Sequence, residues 1–321
     1  MSRGVDGVAP TTWGDSVDAT GAGGLSVVIP ARDAAGTIGR QLEAVVAGAA
    51  EVEVVVADNG STDGTQEVVR EFARRHPHTV LLDASSTPGP SFARNQGIAA
   101  ASHELVALCD ADDVVAPGWA DAVLDGLRRH EFVGGPHEFE LLNPSWVCDA
   151  RGRERTREFW TLEDVGGPPW PHVTTSNLGI RRSAHDAVGG FDEALQWSED
   201  NDYAFRLRLQ LGLTPVWVED ALVHYRYRTR MRDLQAQADH YSQGLVGLID
   251  RYGEHWVQPP RPQSAVERAV KSAVKLALVR NRAGLARWYW HRGAAQGYAA
   301  ASRAAGPAAR RPAGSPPATS R

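Results

Sequence analysis

The sequence predicts an α/β fold, a mostly parallel sheet flanked by helices with a C-terminal helical appendage. Short, nearly continuous apolar runs at 25–29, 52–57, 79–82 and 105–109 alternate with stretches of helical periodicity. That alternation marks strands joined by right-handed crossover helices, in a sheet covered on both faces. The chain of 321 residues suits one catalytic body of about 200–250 residues and an appendage. Its 42% hydrophobic and 23% charged residues are ordinary for a globular protein.

Taken in order, 25–29 reads as a buried strand and 37–47 as a helix. A second strand at 52–57 leads to a helix at 65–75, where Val68, Val69 and Phe72 share a face. A strand at 79–82, a helix at 91–101 and a strand at 105–109 follow. Beyond Pro117 the pattern loosens into a helix at 119–129, mixed strands and a Gly/Pro-rich stretch at 166–171. A strand at 177–181, a helix at 200–211 and a strand at 221–225 complete the body. From 263 to 291, Val266, Val270, Ala273, Val274, Ala277 and Leu278 recur at helical spacing, with Arg268, Lys271 and Lys275 between them.

Charge is unevenly spread. Residues 261–321 carry twelve Lys/Arg and one acid, Glu267, which leaves 22 bases and 38 acids elsewhere. An acidic body excludes general nucleic-acid binding, which needs a broad basic face. No apolar window reaches the roughly 20 residues of a spanning helix, and the first 24 residues lack a signal-peptide pattern. Cys109 and Cys148 are too few for a disulfide framework. A reducing cytoplasm is the expected location, at most peripheral on the inner face of the membrane.

Chemistry concentrates at predicted strand ends, where ligands bind in open parallel sheets. The first strand ends in Pro30-Ala31-Arg32-Asp33, the second in Asp58-Asn59-Gly60-Ser61-Thr62-Asp63-Gly64-Thr65, and the fourth in Asp110-Ala111-Asp112-Asp113. Asp and Gly also serve as turn and cap residues, the plainer reading for Asp63-Gly64. Three acids at one strand end repel unless a cation neutralises them. Asp110 and Asp112 therefore suit Mg²⁺ or Mn²⁺, hard cations that bridge a diphosphate.

With Gly89-Pro90-Ser91-Phe92-Ala93-Arg94-Asn95-Gln96-Gly97, Asn177-Leu178-Gly179-Ile180-Arg181-Arg182, Gly189-Gly190-Phe191-Asp192-Glu193 and Glu199-Asp200-Asn201-Asp202, this ordered set resembles the family 2 glycosyltransferases of the GT-A fold. It covers 25–230, about two-thirds of the chain. The resemblance implies inverting transfer of a sugar from a nucleotide diphosphate donor, a UDP-sugar being expected, to a hydroxyl acceptor. It implies a nucleotide-sugar half at 25–115, lined by Pro30, Ala31, Arg32, Asp58, Arg94, Asp110 and Ala111. Within that half, Asp58 would accept from the nucleobase, as a carboxylate suits an imide N–H. It further implies an acceptor-binding and catalytic half at 116–258, with Asp200 as general base beside Glu199. Asp110 and Asp112 match the metal acids and His224 completes the site in several members, although a lone histidine is also commonly structural. Arg226, Arg228 and Arg230 either close over the diphosphate or form a solvated basic end. Trp160, Trp170 and Trp197 fall in the acceptor half as sugar-stacking faces or as core. Trp197 and Asn177 are the expected acceptor contacts.

A dinucleotide oxidoreductase would place its Gly-rich turn after the first strand, whereas Gly21, Gly23 and Gly24 precede it. A sugar-phosphate nucleotidyltransferase would need a Gly-rich basic loop where Pro30-Ala31-Arg32-Asp33 stands. A non-catalytic nucleotide-sugar binder remains the third alternative, against which the paired metal acids and Glu199-Asp200 weigh. Residues 1–24 and 301–321 read as disordered, and 259–300 as a basic amphipathic appendage. Its stripe, with Trp288, Tyr289 and Trp290, suits either an anionic membrane along 264–292 or packing on the body or a second subunit. The acceptor is then a carbohydrate, a lipid-linked glycan or a small hydroxyl compound.

Overall fold

The computed structural model describes residues 24–48, 51–257, 260 and 263–305. The chain runs β1 (Leu25–Ala31), α1 (Ile38–Val45), β2 (Val52–Asp58), α2 (Thr65–Arg75), β3 (Thr79–Asp83), α3 (Pro90–Ala100) and β4 (Leu105–Leu108). There follow β5 (Val114–Val115), α4 (Trp119–Arg129), β6 (Phe132–Gly134), β7 (His137–Glu138), α5 (Ser145–Arg151), β8 (Leu178–Arg181) and α6 (Arg182–Ala187). Next come α7 (Glu199–Leu211), β9 (Val216–Trp217), β10 (Val223–His224), α8 (Met231–Tyr252), α9 (Ala265–Ala277) and α10 (Arg282–Ala304).

Seven strands form the main sheet in the order β3-β2-β1-β4-β8-β6-β9. β3, β2, β1 and β4 are mutually parallel, and β8 runs antiparallel to both β4 and β6. Ala31 lies level with Asp58, so the polar ends of β1 and β2 emerge together. Strand order reverses between β1 and β4, which opens a crevice at their carboxyl ends. A small sheet, β5-β10-β7, follows from the chain leaving that crevice.

Both sheet faces are buried, which explains the continuous apolar runs. Val27, Ile29, Val54 and Val56 pack on one side with Ile38, Leu42, Phe72, Trp119 and Leu127. Val28, Val55, Val106 and Leu108 pack on the other with Ile98, Phe191, Tyr203 and Leu207. α3 lies so close to β1 that a Cβ on Gly97 would overlap the Val28 side chain.

The C-terminal region differs from the single helix read over 263–291. Asn281 accepts from the Gly284 N–H (2.8 Å) and starts a separate helix, α10, just as Ser264 caps α9 through the Glu267 N–H (3.1 Å). α10 packs along α8, with Gly293 and Gly297 against the backbone of Gln235 and Asp239, where no Cβ fits. Ala286 of α10 is buried with Leu234 of α8 and Val147 and Cys148 of α5. α10 is thus built into the body, and it continues to Ala304, into the stretch read as a disordered tail. Positions 1–23 and 306–321 lie outside the described residues. Among the described residues no helix is long and apolar enough to cross a membrane.

Candidate active site

At the end of β2, Asp58 is 1% exposed. Its Oδ2 accepts from the Ser61 N–H (3.2 Å) and from Gln66 Nε2 (2.8 Å), while Oδ1 has no partner among the described residues. A buried carboxylate oxygen held this way is a vacant acceptor for an N–H donor. Asn59 is structural: its amide donates to the Ala84 and Thr87 carbonyls and accepts from the Gly89 N–H, pinning the start of α3. Asp63 likewise braces the loop, accepting from Thr65 and from the Ala35 N–H, so the turn reading of Asp63 is the one realised. Pro30 is half-buried, Ala31 buried and Arg32 exposed at the neighbouring end of β1.

Beyond β4, carboxylate oxygens of Asp110, Asp112 and Asp113 lie within 4.8 Å of one another. Burial, reinforced by the neighbouring acidic charges, pushes Asp112 up and Asp113 well up from ordinary carboxylate values. Gln41 of α1 brackets this turn, donating to the Asp110 carbonyl (3.1 Å) and accepting from the Val115 N–H (2.9 Å). Asp113 accepts from the Arg226 N–H (2.7 Å), and Arg226 Nε donates to the Asp112 carbonyl (2.7 Å). Arg228 stands 3.8 Å from Asp112. Of the three candidate arginines, Arg226 and Arg228 reach the acidic turn; Arg230 instead lies at the start of α8, its carbonyl accepting from Asp233 and Leu234.

Arg94 links the two halves. Only 5% exposed, it donates to Asp110 Oδ1 (3.2 Å) and to Glu199 Oε1 (2.8 Å). Burial and the adjacent Asp200 charge push Glu199 up, and burial pushes Asp200 up. Asp200 Oδ1 accepts from the backbone and side chain of Asn201 (2.8 and 2.9 Å). Both acids open α7 directly after Ser198, whose φ of 61° is left-handed. Such backbone strain persists only where the surroundings hold it. Here a Cβ on Gly244 of α8 would overlap Ser198 Oγ and meet Ser198 Cβ at 2.9 Å and the Trp197 carbonyl carbon at 3.1 Å, so α8 buttresses the turn. Asp202, fully buried, fastens α7 to α8 through Arg251 (2.6 Å) and the Tyr252 hydroxyl (2.7 Å).

His224 Nδ1 lies 2.7 Å from Glu138 Oε2 on the adjacent β7. A carboxylate there fixes the ring and leaves Nε2 for a ligand, the arrangement common behind metal-binding histidines. His224 is nevertheless not part of the close group formed by the three acids. Trp197 stacks on His240 at 3.6 Å, and Trp160, 41% exposed, stacks on His137 at 5.6 Å. Trp170 packs edge-on against Phe205 at 4.9 Å, a core role. Asn177 corrects the sequence expectation. It is 1% exposed, accepts from Trp119 Nε1 (2.9 Å) and donates to the Pro136 and Ala221 carbonyls (3.1 and 2.8 Å). Its polar atoms tie β8 into the body and are not available to an acceptor.

The sequence gives no role to Gln41, Glu138, Ser198 or Gly244, and Asp113 enters it only as the third acid of the strand end. Asp113 adjoins the recognised acids and was within reach; a strained Ser and a helical Gly leave no local sequence signal.

The mixed sheet thus brings the acidic turn and the first turn of α7 to one crevice at the switch point. The glycosyl transferase family 2 model matches residues 26–189, and the chain belongs to that family. It is 29% identical over 239 residues to the pre-mycofactocin glycosyltransferase of Mycobacterium tuberculosis, covering 71% of this chain and 48% of that one. The chain thus spans about half the length of that relative. It is also 29% identical over 248 residues to the N-acetylglucosaminyl-diphospho-decaprenol L-rhamnosyltransferase of the same species, covering 65% of this chain and 78% of that one. Among solved structures, a mannosyltransferase of Pyrobaculum calidifontis in complex with GDP-Man and Mn²⁺ superposes with a TM-score of 0.58 at 19% identity, covering 87% and 86% of the two chains.

Proposed function

We propose that this glycosyltransferase moves a sugar, with inversion, from a nucleoside diphosphate donor to a hydroxyl acceptor, with Asp200 as general base. The observation that carries this reading is the Arg94 bridge, which holds the Asp110 strand end and the first turn of α7 at one crevice. A nucleotide lies along the ends of β1 and β2, its base N–H meeting the vacant Asp58 oxygen. A UDP-sugar suits that contact, as does any base presenting an N–H.

The acid cluster fits a hard divalent cation. Asp112 and Asp113 are held above their usual range by burial and the charge of neighbouring acids, and one Asp113 oxygen lacks a partner among the described residues. Asp110 and Asp112 would hold Mg²⁺ or Mn²⁺, and His224 stands near on β10. When bound, the ion offsets charge on the diphosphate. Arg228, beside Asp112, adds positive charge at the same end. Asp200 takes the acceptor proton as the hydroxyl attacks the anomeric carbon; its raised pKa makes it a stronger base than an exposed carboxylate. Trp197 and Trp160 supply faces for sugar stacking. A lipid-linked acceptor is favoured, since one relative's name specifies such a substrate.

The test is release of nucleoside diphosphate from UDP-GlcNAc, other UDP-sugars and GDP-mannose, with and without Mn²⁺. At least one donor should be turned over, and Asp112→Ala should abolish the metal-dependent part. A nucleotidyltransferase would instead consume sugar phosphate and NTP, and a mere binder would release nothing.

A further inference from the structure

α9 presents its apolar stripe outward. Val266, Val270, Val274 and Leu278 are 72, 57, 56 and 66% exposed, and no residue of the helix is buried. The residues at 266, 270, 273, 274 and 277 share one face. The helix is held to the body from another side, where Trp288 Nε1 of α10 donates to the Ser272 carbonyl (2.9 Å). Lys271 and then Lys275 follow the Val274 edge of the stripe, Arg268 lies half-buried on the Ser272 side with its guanidinium donating to the Gln263 carbonyl, and at the turn into α10 stand Arg280 and Arg282, the latter over the Trp146 ring (4.1 Å). Glu267, the helix's one acid, is paired with Lys271 at 2.7 Å.

We propose that this face docks on an anionic lipid bilayer. Charge selects the occupant. A second copy would set one basic flank against another, and residues 306–321 bring three further arginines and no acid. An anionic surface complements the flank while the valines enter the headgroup boundary. The aromatic run of α10 does not provide the contact. Trp290 is covered by the Arg151 guanidinium (3.0 Å) and the edge of Tyr241, and Trp288 is spent on α9. The acidic remainder of the chain is repelled by the same surface, which orients the protein with α9 toward it. Since α10 packs on α8, and α8 buttresses the Ser198 turn, the site keeps a fixed attitude to the bilayer.

The experiment is co-sedimentation of the full chain with phosphatidylcholine vesicles and with phosphatidylcholine–phosphatidylglycerol vesicles. Light scattering is run in parallel on the same samples without lipid. Selective binding to the anionic vesicles is expected, weakened at least about tenfold in Lys271→Glu/Lys275→Glu and in Val270→Glu/Val274→Glu. These positions are exposed, so thermal stability and donor turnover should stay at wild-type values. No sedimentation, equal binding to both vesicle types, or a dimer that the valine variant dissociates would overturn the proposal. Vesicle binding needs neither donor nor acceptor, so its outcome is separate from the outcome of the transfer assays.

Discussion

Replacing Gly244 by alanine should slow the chemical step without loosening the nucleotide. The new Cβ would overlap Ser198 Oγ and sit 2.9 Å from Ser198 Cβ and 3.1 Å from the Trp197 carbonyl carbon. The hydroxyl can turn away by χ1 rotation, but Ser198 Cβ and the carbonyl carbon cannot, and restoring ordinary contact with them needs a shift of about 0.5 Å. Ser198, already left-handed, has little backbone freedom to absorb it, so the displacement passes to Glu199 and Asp200. A misplacement of about 1 Å at a reacting group costs on the order of 10²-fold, so a fall in kcat of roughly 10- to 10²-fold is expected. KM for the donor should not change, because Asp58 and Asp110 lie on other strand ends. Overpacking costs about 1–3 kcal/mol, partly offset by about 1 kcal/mol of helix propensity, so Tm should fall by a few degrees at most. Gly247→Ala in the same helix is the control, since its Cβ meets nothing within 4 Å. Steady-state nucleoside diphosphate release on both variants decides the matter. Wild-type kcat in a folded Gly244→Ala protein would refute the buttress.

Three further outcomes follow from the same geometry. Arg94→Met leaves Asp110 and Glu199 facing each other half-buried and uncompensated, so a loss of roughly 2–4 kcal/mol is expected; an unchanged Tm would show the bridge to be idle. Asn177→Ala strands buried Trp119 Nε1 and two carbonyls, costing about 2–4 kcal/mol in denaturant unfolding while leaving acceptor KM unaltered; a KM effect without destabilisation would restore its acceptor role. Asp113 is protonated more readily in the native state than unfolded, through burial first and the charges of Asp112 and Asp110 next. The stability it contributes is complete below the ordinary carboxylate pKa of about 4 and is lost as pH rises through the raised value. Without metal, Asp113→Asn should therefore match wild type near about pH 4 and exceed it near about pH 8, as read by Tm; a constant difference would contradict the shift.

The parallel half of the sheet was legible because burial on both faces makes its strands continuous apolar runs, and crossover geometry then delivers Asp58 and Asp110 to one end. α8 was not legible. Its buried residues, among them Leu234, Ala238, Val246 and Ile249, are interrupted by Gln, Gly and Asp, and part of their covering comes from α10, some fifty residues later. β5, β7 and β9 are two residues each, too short to show a period, whereas β10 falls inside the strand read at 221–225. Asn177 misled because polarity at a strand end resembles ligand binding, whereas here it satisfies buried backbone. The Ser198 turn escaped because its conformation is imposed by α7 and α8 together.

The decisive measurement pairs calorimetric titration of UDP plus Mn²⁺ with transfer kinetics on Asp200→Asn. The substitution preserves size and removes only the proton acceptor. Nucleotide affinity should stay within error of wild type while transfer falls by roughly 10²–10⁴-fold. A parallel loss of UDP affinity, or transfer retained at the wild-type rate, would contradict Asp200 as the base and with it the catalytic assignment of the crevice.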